Sequence, residues 1–473
     1  MNNCDPELEA APRDAMLEML MSRITYDDTM SSSDALIWHI EQDPQLRSTV
    51  MSVWFLEQPP SIERMRSTVE RMVTQLPRLR QSVLDDRPRP RWVPAENFDV
   101  DDHYHYDDLG GSAEHADVLA RAQQWVREPF DRSRPLWQLG IFSGLADGRG
   151  ALVLKLHHAI ADGVGLMLML AAMADLEPNP RVRLALADVV TPPTPVERAP
   201  KHFSTFLRHP ARSTRSAIRS GVSILKLVMP NRKPLSPMMV HRSSDLCLDT
   251  ATLPFETLRR AGKQVGGSLN DAFIALVLDA LDRYHDRYGT DCDKIRIHMP
   301  INIRDAATAD RAGNQFVPAR IVMTVGDDDA EGRLRRVSKH LAAVRQEPAL
   351  RWVNSVSAAI QRLGVPISRR IIGGMMKGVD VLASNVAGPP CPLYLAGEHV
   401  EEFYAFGPPA GAALNITLFS YDKTVHLGVT TVAAAVESRR HFMGCLDEAI
   451  AEMTAVASKW KQPTQAASAL AAA

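Results

Sequence analysis

Residues 151–175 read ALVLKLHHAIADGVGLMLMLAAMAD, and the change of pattern inside this stretch decides the fold. Ala151 to Leu156 is a short apolar run of strand length, and Gly163 to Leu176 follows as a longer apolar run that reads as a helix. The unit is therefore β-then-α, with His157 and His158 at the junction. Adjacent residues on a strand point to opposite faces, so only one of these two imidazoles can enter any given cavity. Gly163 lets the chain turn sharply, and Asp162 is placed to cap the following helix or to pair with an arginine. Histidine titrates near neutrality, so a single ring on a rigid loop can take a proton from an alcohol and later return it to a leaving group. The chain has no G-x-S-x-G elbow, which weakens a serine-hydrolase reading. A metal site through His157, His158 and Asp162 is not expected, because the two rings diverge and no Cys, His or Glu cluster completes a ligand set.

Outward from this unit, Ile62 to Leu76 has helical spacing, and a compositional break begins at about Thr191, where Pro192, Pro193, Pro195, Pro200 and Pro210 interrupt any regular pattern. Patterning resumes after Pro237. Ser268 to Tyr284 reads as a helix with Ser268 as N-cap and Asp271 as the acid of a capping box. Lys294 to Arg304 alternates as a half-buried strand, with Ile295, Ile297, Met299, Ile301 and Ile303 on one face. Phe316 to Val325 reads as a strand and Gly332 to Val344 as a helix. A hairpin of Ala412 to Phe419 and Val425 to Val432 turns around Asp422, and Arg439 to Ala457 forms a closing helix. The expected architecture is two mixed α/β domains joined by a long crossover: an N-terminal half over 1–190, a basic Pro-rich linker over 191–240, a C-terminal half over 241–460 and a disordered tail over 461–473.

Composition narrows the function classes. With 54 Lys plus Arg against 56 Asp plus Glu in 473 residues, the net charge of −2 excludes the strongly basic balance of a nucleic-acid coat. Five scattered cysteines suit a reduced compartment, and Asp5, Glu7 and Glu9 stand where a secretory signal needs positive charge, so a cytoplasmic protein is expected. The apolar run from Gly163 to Ala174 is short of the ~18 to 20 residues that span a bilayer. Between Thr191 and Val240, nine Lys or Arg residues face a single acid, Glu197. Arg212, Arg215, Arg219 and Lys226 fall on one stripe of a possible helix, beside an apolar stripe of Ile218, Val222, Leu225 and Met229. This pattern suits an anionic lipid surface, and equally a solvated helix or one paired with the other domain.

HHAIADG resembles the HHxxxDG motif of the coenzyme A-dependent acyltransferase superfamily. Pro135-Leu136-Trp137, Asn270-Asp271 in SLNDAFIALV, the strand HMPINIR ending in Arg304, GNQFVPARI around Asn314, and Ser384-Asn385-Val386-Ala387-Gly388-Pro389 occur in order along the chain. Together they resemble the bacterial wax ester synthase/acyl-CoA:diacylglycerol acyltransferase family, with Ala387 standing where a proline is more usual.

The resemblance implies two chloramphenicol-acetyltransferase-like domains with an active-site tunnel between them. It implies an O-acyltransferase that moves a long-chain acyl group from acyl-CoA to diacylglycerol or a long-chain alcohol, without an acyl-enzyme, a cofactor or a metal. His158 corresponds to the general base, with His157, Asp162 and Gly163 shaping the loop. Asn270 and Asp271 match a motif needed in the family, though a capping box explains them equally well. Arg304 resembles the arginine that pairs with the motif aspartate, and Pro135-Leu136-Trp137 reads as packing. An oxyanion donor is expected in the Asn270 side chain or a backbone amide near Gly163. The expected partners are the two substrates and a membrane or lipid-droplet surface, with no nucleic acid. Two alternatives stay open: a same-fold acyltransferase with a polyketide or other alcohol acceptor, and a catalytically silent lipid-binding protein.

Overall fold

A computed structural model describes residues 26–86, 89–160, 163–180, 233–302, 316–326, 328–345 and 365–460. Asp162, Arg304, the basic stripe between 210 and 229 and the tail over 461–473 lie outside the described residues.

Two sheets organise the chain. The first runs β4 (Tyr104–Ala113), β5 (Trp137–Leu145), β6 (Gly150–His157), β1 (Thr49–Leu56), β13 (Glu398–Phe406), β12 (Tyr394–Leu395) and β7 (Ala174–Asp175). The second runs β10 (Phe316–Thr324), β9 (Lys294–Asn302), β11 (Val381–Ala387), β14 (Leu414–Tyr421), β15 (Thr424–Val432) and β8 (Leu246–Pro254). A separate hairpin pairs β2 (Gln81–Leu84) with β3 (Arg91–Pro94). The predicted strand at 294–304 is β9, whose Ile295, Ile297 and Met299 are buried as its alternation requires. The predicted hairpin is β14 and β15, paired antiparallel, with Asp422 in the left-handed region at φ 49°.

The helices fill the outer layers. In the first half these are α1 (Ser32–Ile40), α2 (Ile62–Gln75), α3 (His115–Arg127) and α4 (Gly163–Met173). In the second they are α5 (Phe255–Gln264), α6 (Leu269–Arg287), α7 (Ala330–Arg345), α8 (Val365–Met376) and α9 (Arg439–Ser458). One core packs α6 and α9 against Ile295, Ile297, Val381, Ile416, Leu427 and Val429 of the second sheet. A second core gathers Trp54, Trp137, Leu152 and Leu154 of the first sheet with Met65 and Met72 of α2 and most of α4.

The two halves are interleaved. Strand β13 pairs with β1 from Met51 opposite Phe406 to Leu56 opposite Val400, and β12 pairs with β7. Strands from the segment 241–460 therefore complete the sheet of the segment 1–190, so those boundaries divide the chain and not the sheets. The physical reason is the edge of β1, whose backbone donors and acceptors would be orphaned without a partner. Where β13 crosses β15, the backbones nearly touch: a Cβ on Gly428 would lie 2.1 Å from the Ala405 carbonyl oxygen. On another side, Ile372 of α8 packs with Ile40 of α1 and Leu46, and the Lys377 ammonium meets the Asp43 carboxylate at 2.6 Å.

The helix expected to reach Leu176 ends at Met173. Arg71 of α2 donates to the carbonyls of Ala172 at 3.0 Å and Met173 at 2.7 Å, satisfying acceptors a continuing helix would have used itself. The chain then turns into β7.

Candidate active site

Strand β6 ends opposite β1, with His157 facing Thr49. Beyond that pair the loop is pinned from both sides. The His158 N–H donates to the Ser48 carbonyl at 2.8 Å, the His157 N–H donates to Leu136 at 3.0 Å, and the Ile160 N–H donates back to His157 at 2.9 Å. The two imidazoles diverge as strand geometry demands: the His157 side chain is 0% exposed, whereas His158 is partly exposed.

His157 is a structural ring. Its Nδ1 accepts the Ala159 N–H at 3.0 Å, which leaves the proton on Nε2, and Nε2 sits 2.6 Å from Glu41 Oε2. Trp38 and Phe130 meet the ring edge-on, at centroid distances of 5.6 and 6.2 Å. Glu41 also accepts the Ser48 N–H at 3.2 Å and pairs with Arg132 at 3.2 Å. Burial pushes the Glu41 carboxyl up, but the polar contact with His157 and the charge and hydrogen bond of Arg132 outweigh it and hold the group below its ordinary value. Arg132 lies 3.9 Å over the Trp38 ring. Two positions before His157 on the same face, Lys155 is buried. Its Nζ donates to the Glu128 carbonyl at 2.9 Å and to Gln138 at 3.3 Å. Burial lowers this ammonium to about 8, and it braces the 128–130 segment that supplies Phe130.

Sequence reasoning missed Glu41 and Arg132. A signal exists for the first: Glu41 occupies the C-cap of α1, where the helix dipole disfavours an anion, so its charge needs another reason to be there.

Pro135-Leu136-Trp137 packs, as expected. Leu136 and Trp137 are fully buried, and the Trp137 indole N–H donates to the Leu79 carbonyl at 2.9 Å. Gly163 opens α4, in which Leu166 to Leu170, Ala172 and Met173 are buried.

In the second half, Asp271 is consumed by structure. It closes both arms of the capping box with Ser268, accepts the Ser338 hydroxyl at 3.1 Å and pairs with Arg345. Its neighbour Asn270 differs. The Asn270 amide nitrogen donates to the Met299 thioether at 3.2 Å, a weak acceptor, while its oxygen accepts the Asn385 amide at 3.3 Å. The structure thus joins the SLND and SNVAGP motifs through two amides, Asn270 in the first turn of α6 and Asn385 on β11. Val386 of β11 packs against the same apolar cluster that holds Ala159 and Ile160 of the histidine loop.

The arrangement offers a partly exposed imidazole on a backbone held by hydrogen bonds, and an amide donor whose partner among the described residues is a soft one. Those are the parts needed for proton transfer and for stabilising a developing oxyanion.

Comparisons with known proteins identify the family. Residues 30–273 match the wax ester synthase/diacylglycerol acyltransferase catalytic domain, and residues 312–454 match the C-terminal domain of the same family. A putative diacylglycerol O-acyltransferase of Mycobacterium tuberculosis is 31% identical over 430 residues, covering 84% of this chain and 85% of the relative. A second from that organism is 29% identical over 411 residues, covering 80% and 85%. Among solved structures, the wax ester synthase/diacylglycerol acyltransferase of Marinobacter aquaeolei VT8 superposes with a TM-score of 0.63 at 19% identity, over 91% of this chain and 100% of that one. The first condensation domain of the calcium-dependent antibiotic synthetase gives 0.60 at 16%, over 92% and 97%. At such identities the structural likeness concerns the fold alone.

Proposed function

The chain belongs to the wax ester synthase/diacylglycerol acyltransferase family, and on that premise we propose that it moves a long-chain acyl group from acyl-CoA to the hydroxyl of diacylglycerol or a long-chain alcohol. The observation that carries the reading is the contrast between the two motif histidines: His157 is sealed and hydrogen-bonded, and His158 is partly exposed beside it.

In this mechanism His158 removes the proton from the acceptor hydroxyl as the oxygen attacks the thioester carbonyl. A tetrahedral oxyanion forms, and the Asn270 amide is the donor we assign to it. Collapse breaks the carbon–sulfur bond and expels the CoA thiolate, a better leaving group than an alkoxide because a thiol ionises near ~8.5. The proton on His158 then passes to the thiolate, and the ring is ready for another turnover. No acyl-enzyme forms, because the acceptor oxygen attacks the thioester directly.

Thiol release from palmitoyl-CoA, measured with diacylglycerol, hexadecanol and a short polar alcohol, tests the proposal. Release stimulated by the first two supports it. Release stimulated only by the polar alcohol would favour a different acceptor, and none with any acceptor would favour a silent lipid-binding protein.

No helix among the described residues is long and apolar enough to cross a membrane. Peripheral docking is part of the proposal, resting on the basic stripe Arg212, Arg215 and Arg219 and on the partitioning of both substrates into lipid. Salt-sensitive flotation with anionic liposomes is expected; flotation unchanged when the three arginines become glutamates would remove the stripe from the account.

A further inference from the structure

His158 is held by its neighbours, and the contacts that hold it converge on one carboxylate. On one side the Ser48 carbonyl accepts the His158 N–H at 2.8 Å, and the N–H of that same Ser48 donates to Glu41 at 3.2 Å. On the other side the Ala159 N–H donates to His157 Nδ1 at 3.0 Å. That bond requires a bare Nδ1, and therefore a proton on Nε2, the nitrogen that lies 2.6 Å from Glu41 Oε2. Were the ring to adopt the other tautomer, Nδ1–H would face the Ala159 N–H, and the turn after His158 would lose its anchor. Arg132 supplies the countercharge at 3.2 Å; it is stacked over Trp38 and also donates to the Trp38 carbonyl at 3.3 Å. Trp38 in turn meets the His157 ring edge-on. Acid, arginine and indole form one packed unit around a ring that does no chemistry itself.

We propose that Glu41 is a positioning residue for the acyl transfer, fixing the tautomer of His157 and the Ser48 peptide so that both flanks of His158 are set. The inference rests on His158 being the base. Glu41 touches neither substrate nor the transferred proton; it acts by reducing the number of orientations open to the His158 ring. Misplacing a reacting group by about 1 Å costs on the order of 10²-fold in rate.

The test compares kcat and KM for palmitoyl-CoA and diacylglycerol in the wild-type chain, Glu41→Ala, Glu41→Gln, His157→Ala and the double variant Glu41→Ala/His157→Ala, with melting temperatures alongside. Glu41→Ala should lose about 10²-fold in kcat with KM unchanged. Glu41→Gln keeps an acceptor oxygen for the Nε2–H and should recover part of that loss; it also gives a reading should the alanine variant fail to fold. Because both residues act through one linkage, the double variant should be no slower than the slower single one. Losses that multiply, or a folded Glu41→Gln and Glu41→Ala at the parental kcat, would overturn the proposal. His158→Ala is measured in parallel: a parental rate there rejects the base, while the Glu41 and His157 cycle still reports whether those two are coupled.

Discussion

Two buried histidines outside the His157-His158 loop are expected to make the fold's stability sensitive to mild acid. His426 on β15 is 2% exposed, and among the described residues neither ring nitrogen has a hydrogen-bond partner. Its neighbours are the Tyr404 and Tyr421 rings at 5.1 and 6.2 Å, and burial lowers it to about 4 despite the opposing charge of Glu402. His298 on β9 is lowered further, to about 3, by burial and then by the charges of Arg320 and Arg296. In the unfolded chain both rings titrate near ~6.5. A depressed folded value means that the unfolded state binds more protons as the pH drops below the unfolded value, so stability is lost there as pH falls. At pH 5 each ring costs about 2 kcal/mol relative to pH 7.5, and the pair about 4, a large share of a typical folding free energy. Urea unfolding of the wild type, His426→Phe and His298→Leu at both pH values reads this directly. Each replacement should shrink the loss between pH 7.5 and pH 5 by about 2 kcal/mol. A variant whose loss matches the wild type would refute the assignment for that ring.

Three further outcomes follow from single contacts. Gly428→Ala puts a Cβ 2.1 Å from the Ala405 carbonyl where β15 crosses β13, so urea unfolding should show about 1–3 kcal/mol of destabilisation. Asp271→Ala removes the side-chain arm of the α6 capping box together with the Ser338 and Arg345 contacts, while the Ser268 cap on the position-271 N–H stays, and should lower the melting temperature, with about 1 kcal/mol lost for the missing arm alone. Asn270→Ala, by contrast, gives up a thioether and one amide contact among the described residues. Its melting should change little while kcat falls by about 10²-fold, and an unchanged kcat would remove Asn270 as oxyanion donor.

Much of this protein can be read along the chain because its signals are local. The β6-to-α4 unit, the capping box of Ser268 and Asp271, the alternation of β9 and the β14–β15 hairpin each depend on residues close in sequence, and each forms where the pattern places it, with α4 stopping three residues short at Met173. The interleaving of the halves is of another kind. Nothing near Met51 announces that its partner is Phe406, because that pairing is set by which edge remains open once the other strands are placed. The same holds at the site. The alternation rule separates the roles of His157 and His158, but the Glu41 carboxylate reaches His157 only after α1 has packed beside the end of β6. Likewise, Asn270 and Asn385 are distant in sequence and meet only once the first turn of α6 has packed beside β11.

His158 as the proton acceptor is tested most directly by one comparison: steady-state thiol release from palmitoyl-CoA with diacylglycerol, for the wild-type chain and for His158→Ala shown to melt at the same temperature. The expected result is a fall in kcat of about 10² to 10⁴-fold, the usual worth of a general base. A correctly folded His158→Ala that turns over at the wild-type rate would contradict it.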